Sequence, residues 1–218
     1  MTNFDISVVS DTVCPWCYVG YRQLEQAQKL WRQRHPADTF SVRYLPYQLN
    51  PEAPRGVSVD KQDFYAARFG AQRFAMMNQR LGLVGASLGI DFKFGGRTGN
   101  TFDSHRVIHL AQRLGGDMGL RTVEGLFEAY FEKERDITDL EVLRQVALAG
   151  GVPEEEFQKS IVESNGESAQ VEKAIMEARR QGVSGVPDFT IQDRYRLGGA
   201  QSAEEFIEIF EKIKALGD

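Results

Sequence analysis

Cysteine is scarce in this chain: two in 218 residues, both inside Cys14-Pro15-Trp16-Cys17. A multi-disulfide scaffold is therefore excluded. No apolar run reaches the ~20 residues that a bilayer-spanning helix takes, so no membrane partner is expected. Basic runs and aromatic-interleaved basic patches are missing, and the formal net charge is −5, which argues against a nucleic-acid partner. No internal repeat and no low-complexity segment appears. The opening Met-Thr-Asn-Phe-Asp has no basic region followed by an apolar stretch, which sets the expectation of a cytoplasmic protein. What remains is ordinary for a folded chain, 42% hydrophobic and 26% charged, long enough for one large domain or one domain with an insertion.

The two cysteines sit at a change of pattern. An apolar run from Phe4 to Val13, with Ile6, Val8 and Val9, reads as a buried strand. After Cys17, residues Val19, Leu24, Ala27, Leu30 and Trp31 take helical spacing, and Pro15 falls where a first-turn proline is tolerated. Cys-x-x-Cys at a strand-to-helix junction reads as a redox motif. The attacking species is a thiolate, and the unpaired N–H groups of a helix start favour negative charge. Cys14, at the helix entrance, is expected to be the partly exposed nucleophile. Cys17, one turn further in, is expected to be the buried resolving thiol.

The rest of the chain divides by period. Phe40 to Tyr47 alternates as a second strand, and Pro46, Pro51 and Pro54 begin an irregular link. A long helical stretch capped by Ser58 or Asp60 contains Phe64, Phe69, Phe74, Met77 and Leu81. Its aromatics, with Met76, are assigned to the core. Gly82 to Gly99 reads as a surface loop or lid. Helices follow from Asn100 to Gly115, from Leu120 to Lys133, from a Thr138–Glu141 capping box to Ala149, after Pro153, and from Glu167 to Gln181. Phe189–Ile191 and Tyr195–Leu197 return to strand, and a second capping box, Ser202–Glu205, opens a closing helix. Strand signals at both ends around a helical middle predict an α/β domain of residues 1–47 and 167–218 interrupted by an all-helical insertion, 48–166. The two ends must then pair in one sheet.

Gly185-Val186-Pro187 precedes the late strand and, alone, is a strand-entry proline. Together with strand–Cys14-Pro15-Trp16-Cys17–helix, it resembles the thioredoxin superfamily. The helical insertion makes the chain similar to its DsbA-like branch. Ser10-Asp11, Tyr18-Val19-Gly20, Asn100-Thr101, His105-Arg106, Phe127–Phe131 with Asp136-Ile137, and Gly199-Ala200-Gln201 resemble the FrnE-like group of that branch. The resemblance implies a thioredoxin-like fold with a large helical insertion. It implies a thiol–disulfide oxidoreductase with Cys14 and Cys17 catalytic. Pro15, Trp16, Val186, cis-Pro187, Asn100, His105 and Gln201 are then implied to border a substrate groove, with Val186 offering its backbone to a bound peptide or thiol. Trp16 is read as a substrate contact in preference to packing.

Two other functions remain open on the residues. His105 and His109 share a helix face and, with Cys14 and Cys17, make up a Cys2His2 set for a zinc-binding, non-enzymatic protein. The resemblance extends to glutathione transferases and 2-hydroxychromene-2-carboxylate isomerases, which implies as an alternative a glutathione-dependent isomerase or transferase acting on an aromatic or polyketide small molecule. They resemble one another in a serine at the first cysteine and an Asp-Arg pair where this chain has Gln201-Ser202, so both features favour dithiol chemistry here. The expectation is a disulfide oxidoreductase without metal or organic cofactor. Glutathione or a protein dithiol is its redox partner, and both a monomer and a homodimer are compatible with the sequence.

Overall fold

The computed structural model describes residues 1–217. Strand β1 (Asn3–Ser10) buries Phe4, Ile6 and Val8 on one face, as period-two alternation requires. It feeds α1 (Pro15–Arg34), which returns the chain to β2 (Thr39–Pro46), parallel to β1. A parallel pair needs such a crossover. β5 (Asp188–Ile191) pairs antiparallel with β1, and β6 (Tyr195–Gly198) with β5, so the sheet order is β2-β1-β5-β6. The two ends of the chain thus meet in one sheet.

The last helix, α9 (Ala203–Leu216), packs beside α1 on the Phe4 face of the sheet. Phe4 meets Trp31 edge-on at 5.5 Å and Phe210 at 4.8 Å, and Phe189 meets Phe206 at 4.9 Å. Val9 points to the opposite face, against Ala178 and Val183. Asp38 ties four segments: it accepts from Thr2 N at 2.9 Å, Trp31 Nε1 at 3.1 Å and Lys214 Nζ at 2.6 Å. The Ser202–Glu205 capping box forms as expected.

Between β2 and β5 lie β3 (Ser58–Asp60), α2 (Lys61–Phe69), α3 (Ala71–Ser87), β4 (Arg97–Gly99), α4 (Phe102–Leu114), α5 (Met118–Phe131), α6 (Leu140–Gly150), α7 (Glu154–Phe157) and α8 (Ser168–Arg180). A π-helical turn, Gln158–Val162, continues α7. Arg106, buried on α4, collects carbonyls of that turn and of the segment after it: Ser160 and Ser164 O at 2.9 and 2.8 Å, and Gly166 O at 2.9 Å. Gln112 of α4 reaches the outer edge of β2, where Oε1 accepts from Tyr44 N at 2.7 Å and Nε2 donates to Tyr44 O at 3.0 Å.

Several local expectations change. The single long helix is two, broken at Gly70, whose φ of 86° lies where L side chains are disfavoured. The glycine region is not all loop: α3 runs through Gly82 and Gly85 to Ser87, and Arg97–Gly99 forms an antiparallel ribbon with Ser58–Asp60. Gly85 belongs in that helix because a Cβ there would stand 2.4 Å from the Phe92 ring. The cap of α6 is Asp139, accepting from Glu141 N at 2.8 Å. Thr138 is bonded to Asp136 instead, so the box expected there does not form.

Candidate active site

β1 ends at Ser10, and Cys14 is the N-cap residue of α1, with Pro15 in its first turn. The Cys17 N–H donates to the Cys14 carbonyl at 3.0 Å, closing the turn that brings the two thiols together. Both are free thiols. The loop before β5 completes the triangle. Its Val186–Pro187 peptide is cis, and the Cys14 thiol donates to the Val186 carbonyl at 3.5 Å. This approach depends on Gly20, since a Cβ there would stand 2.9 Å from Phe189 and 3.2 Å from Pro187.

The pair is asymmetric, but not as exposure alone suggested. Cys14 is only 5% exposed and Cys17 2%. The expectation of a partly exposed nucleophile is corrected: the Val186 loop lies against Cys14 on one side, and Tyr65 of α2 lies within electrostatic reach of it. Burial pushes the Cys17 thiol well up, and the neighbouring Cys14 adds to that; the Ser10 hydroxyl and the Asp11 backbone oppose it. Cys17 is therefore held as a neutral thiol.

The polar groups behind the pair are fully engaged. Asp11 is buried, accepts from Leu49 N at 2.7 Å, and its backbone carbonyl receives Cys14 N at 3.0 Å. His105 Nε2 lies 2.8 Å from Tyr47 O and 3.3 Å from Asp11 Oδ1. A carbonyl only accepts, so this nitrogen carries the proton. Ser104 donates to Thr101 O at 2.7 Å and so accepts from Thr12 at 2.8 Å. Ser10, Thr12 and His105 also border a hollow of about 720 Å³ between β2 and helices α4 and α5.

The expected groove residues part company here. Asn100 spends its side chain on structure: Oδ1 accepts from Gln48 Nε2 and Phe102 N, each at 2.9 Å, and Nδ2 donates to Ala53 O at 2.6 Å. Its role is to tie residues 48–53 to the start of α4. Gln201 turns back onto Gly198 O at 2.6 Å, and the Ser202 hydroxyl that follows caps α9. Trp16 is half-buried, packed on the core beneath Arg80 of α3, whose guanidinium lies 5.6 Å from the ring centre. His109 faces away toward Glu167. Among the described residues no cluster of three or more His, Cys, Asp or Glu forms a metal site, so the Cys2His2 set is not assembled.

The resemblance implied the insertion as a cap over the cysteine pair; what the sequence reading missed is which residues line it. Phe64, Tyr65 and Phe69, assigned to the core, are half-exposed and line a cavity of about 240 Å³ beside Val13. Burial raises the Tyr65 phenol above its ordinary value, with the Tyr130 and Thr98 hydroxyls flanking it. Lys61 anchors the start of α2: its Nζ donates to Tyr130 O at 2.9 Å and lies 3.7 Å from the Tyr130 ring centre. Burial pushes this amine down to about 8. No local signal separates these aromatics from core ones, because helical spacing gives a shared face without saying what that face meets.

Comparison with known proteins agrees with this geometry. The structure of a probable DsbA oxidoreductase from Streptomyces coelicolor superposes with a TM-score of 0.86 at 26% identity, covering 99% of this chain and 91% of that one. YwbO, an uncharacterized protein of Bacillus subtilis, is 25% identical over 212 residues, 95% of this chain and 94% of its own. The cytosolic disulfide reductase DsbM of Pseudomonas aeruginosa, solved with GSH, shares the fold at TM-score 0.62 and 17% identity, over 95% of this chain and 98% of that one. The DSBA-like thioredoxin domain matches residues 5–211. With a thioredoxin-like α/β core, a large helical insertion and a Cys-x-x-Cys pair at the start of α1, the chain belongs to the DSBA-like thioredoxin-domain family.

Proposed function

We propose that the protein is a thiol–disulfide oxidoreductase of the FrnE-like group, working through Cys14-Pro15-Trp16-Cys17 in a reducing, cytoplasmic setting. One observation carries the reading: the Cys14 sulfur sits at a helix N-cap, next to Cys17 and 3.5 Å from the Val186 carbonyl of the Pro187 loop. The Cys14 thiolate attacks one sulfur of a disulfide R–S–S–R′. A Cys14–S–R bond forms, and R′–S⁻ leaves and takes up a proton. Cys17 then attacks the Cys14 sulfur, its proton passing to the departing R–S⁻, and the Cys14–Cys17 disulfide closes. Glutathione or a dithiol protein, as the external thiol, returns the pair to its reduced state. Val186 and Pro187 border the incoming sulfur, and no metal or organic cofactor takes part.

The glutathione-dependent isomerase reading gains nothing from the start of α9, where Gln201 and Ser202 are spent on the turn and the cap. The test is a pair of variants. Cys17→Ser accumulates a mixed disulfide on Cys14, seen as the added mass of one thiol, while Cys14→Ser abolishes disulfide turnover. Undiminished turnover by Cys14→Ser would end the proposal.

A further inference from the structure

We infer that the substrate of this site is a compact disulfide with an aryl half carrying a carboxylate, rather than a disulfide in a folded protein; the inference rests on the oxidoreductase reading. Three observations converge on it. First, Cys14 is 5% exposed, with Tyr65 of the insertion within electrostatic reach of it. A protein disulfide arrives between two peptide chains and needs a groove open on both sides, whereas a small disulfide needs only a pocket.

Second, the cavity beside Val13, the residue preceding Cys14, has the right size and lining. Its volume is about 240 Å³, and Val57, Phe64, Tyr65 and Phe69 give it a largely carbon wall. An apolar cavity of about 150 Å³ accepts benzene, so this one holds one substituted ring and not a peptide segment. Tyr65 and Phe69 stand with parallel rings 5.9 Å apart, a flat surface for an aromatic group.

Third, the roof is basic in an acidic protein. Residues 61–87 carry Arg68, Arg73 and Arg80 with a single carboxylate, Asp63, although the whole chain has a net charge of −5. Arg68 lines the cavity and has no salt bridge among the described residues. A carboxylate on the ring meets that guanidinium, while the ring itself stays in the apolar pocket. Phe64 and Phe69 thus set which disulfide is taken, and Arg68 sets its charge.

The chemistry is the exchange already written. The aryl thiolate is the first leaving group, the Cys14–Cys17 disulfide is the oxidised product, and a monothiol or dithiol reductant restores the pair. The test uses the reduced full-length protein in single-turnover mixing with bis(4-carboxyphenyl) disulfide, hydroxyethyl disulfide and insulin. Each rate is divided by that of the same disulfide with free glutathione, which removes the intrinsic reactivity of the leaving group. The aryl disulfide should lead both others by roughly tenfold or more, the equivalent of about 1.4 kcal/mol.

Phe69→Ala should lower the aryl-to-hydroxyethyl ratio several-fold, and Phe69→Leu, which keeps most of the bulk and guards against misfolding, should retain most of it. Arg68→Gln should slow the carboxylated disulfide more than neutral diphenyl disulfide, and salt should erase that difference. If the normalised rates of insulin or hydroxyethyl disulfide equal or exceed the aryl rate, or if the ratio survives Phe69→Ala, the substrate assignment is overturned while the oxidoreductase reading stands. If no disulfide reacts with Cys14 at all, the oxidoreductase reading falls and takes this assignment with it.

Discussion

Replacing Gly20 by alanine tests whether the site is held together by close approach of α1 to the Pro187 loop. The new Cβ stands 2.9 Å from Phe189 Cζ and 3.2 Å from Pro187 Cγ. Carbon atoms pack at about 3.5–4.0 Å, so one element must retreat by roughly 0.6–1.1 Å. Phe189 has no room to yield: it is fully buried on β5 and packed edge-on against Phe206. The helix therefore moves, and the 3.5 Å contact between the Cys14 thiol and the Val186 carbonyl is lost. Overpacking of this kind costs about 1–3 kcal/mol, and alanine returns about 1 kcal/mol of helix propensity. The net expectation is a loss of up to about 2 kcal/mol, read as a lower urea midpoint, with faster alkylation of Cys14 by iodoacetamide at neutral pH. A variant stabilised by about 1 kcal/mol, as helix propensity alone predicts, with unchanged alkylation would refute the argument.

Two further perturbations probe the buried charges. Lys61 has a folded pKa of about 8 against 10.5 for a free side chain, so the folded state binds fewer protons between those values and stability rises across pH 8 to 10.5. Lys61→Met should flatten that rise, removing a charging cost of up to about 3 kcal/mol at neutral pH, less about 0.5–2 kcal/mol of lost attraction to the Tyr130 ring. Parallel urea-stability profiles from pH 7 to 10 for the two proteins would contradict it. At Asp38, burial alone raises the carboxyl, but the Lys214 ammonium, the Thr2 N–H and the Trp31 indole outweigh it and hold the pKa at about 2. The depressed value adds stability that is present above pH 4 and lost as pH falls through about 2. Asp38→Asn should then cost about 1–2 kcal/mol at pH 7, discounted because Lys214 is one-third exposed, and the cost should shrink steadily as pH falls from 4 toward about 2.

The parts of this protein that were legible in sequence are those whose signals are local. Cys14, Pro15 and Cys17 announce a helix start by themselves, and Phe4, Ile6 and Val8 show their strand by alternation. The pairing of β1 with β5 spans most of the chain, and it became legible only because strands at both ends had no other partner. Orientation was not legible. Asn100 and His105 sit close to the cysteine end of the sheet, but their polar atoms turn to backbone carbonyls and amides, a choice fixed by loop 48–53 and by Tyr47. Phe64, Tyr65 and Phe69 have the spacing of core residues, but the helix they lie on ends at Gly70 and its aromatic face, with Tyr65 packed 5.7 Å from Phe74 of α3, borders a cavity instead of the core. Glu167, the partner of His109, lies 58 residues away along the chain, beyond any local pattern.

Gln112 gives Tyr44 the two hydrogen bonds that a neighbouring strand would give, and Pro46 at the end of β2 has no N–H to offer. A foreign strand sliding alongside β2 therefore meets a place already taken midway and a missing donor at the end. Lengthening of the sheet, by a second copy of the chain or by an extended peptide, is left to β6, four residues long. The insertion thus does more than roof the thiols: through one amide it keeps the longer rim of the sheet from recruiting its neighbours, so that an encounter with another molecule is left to the cysteine site.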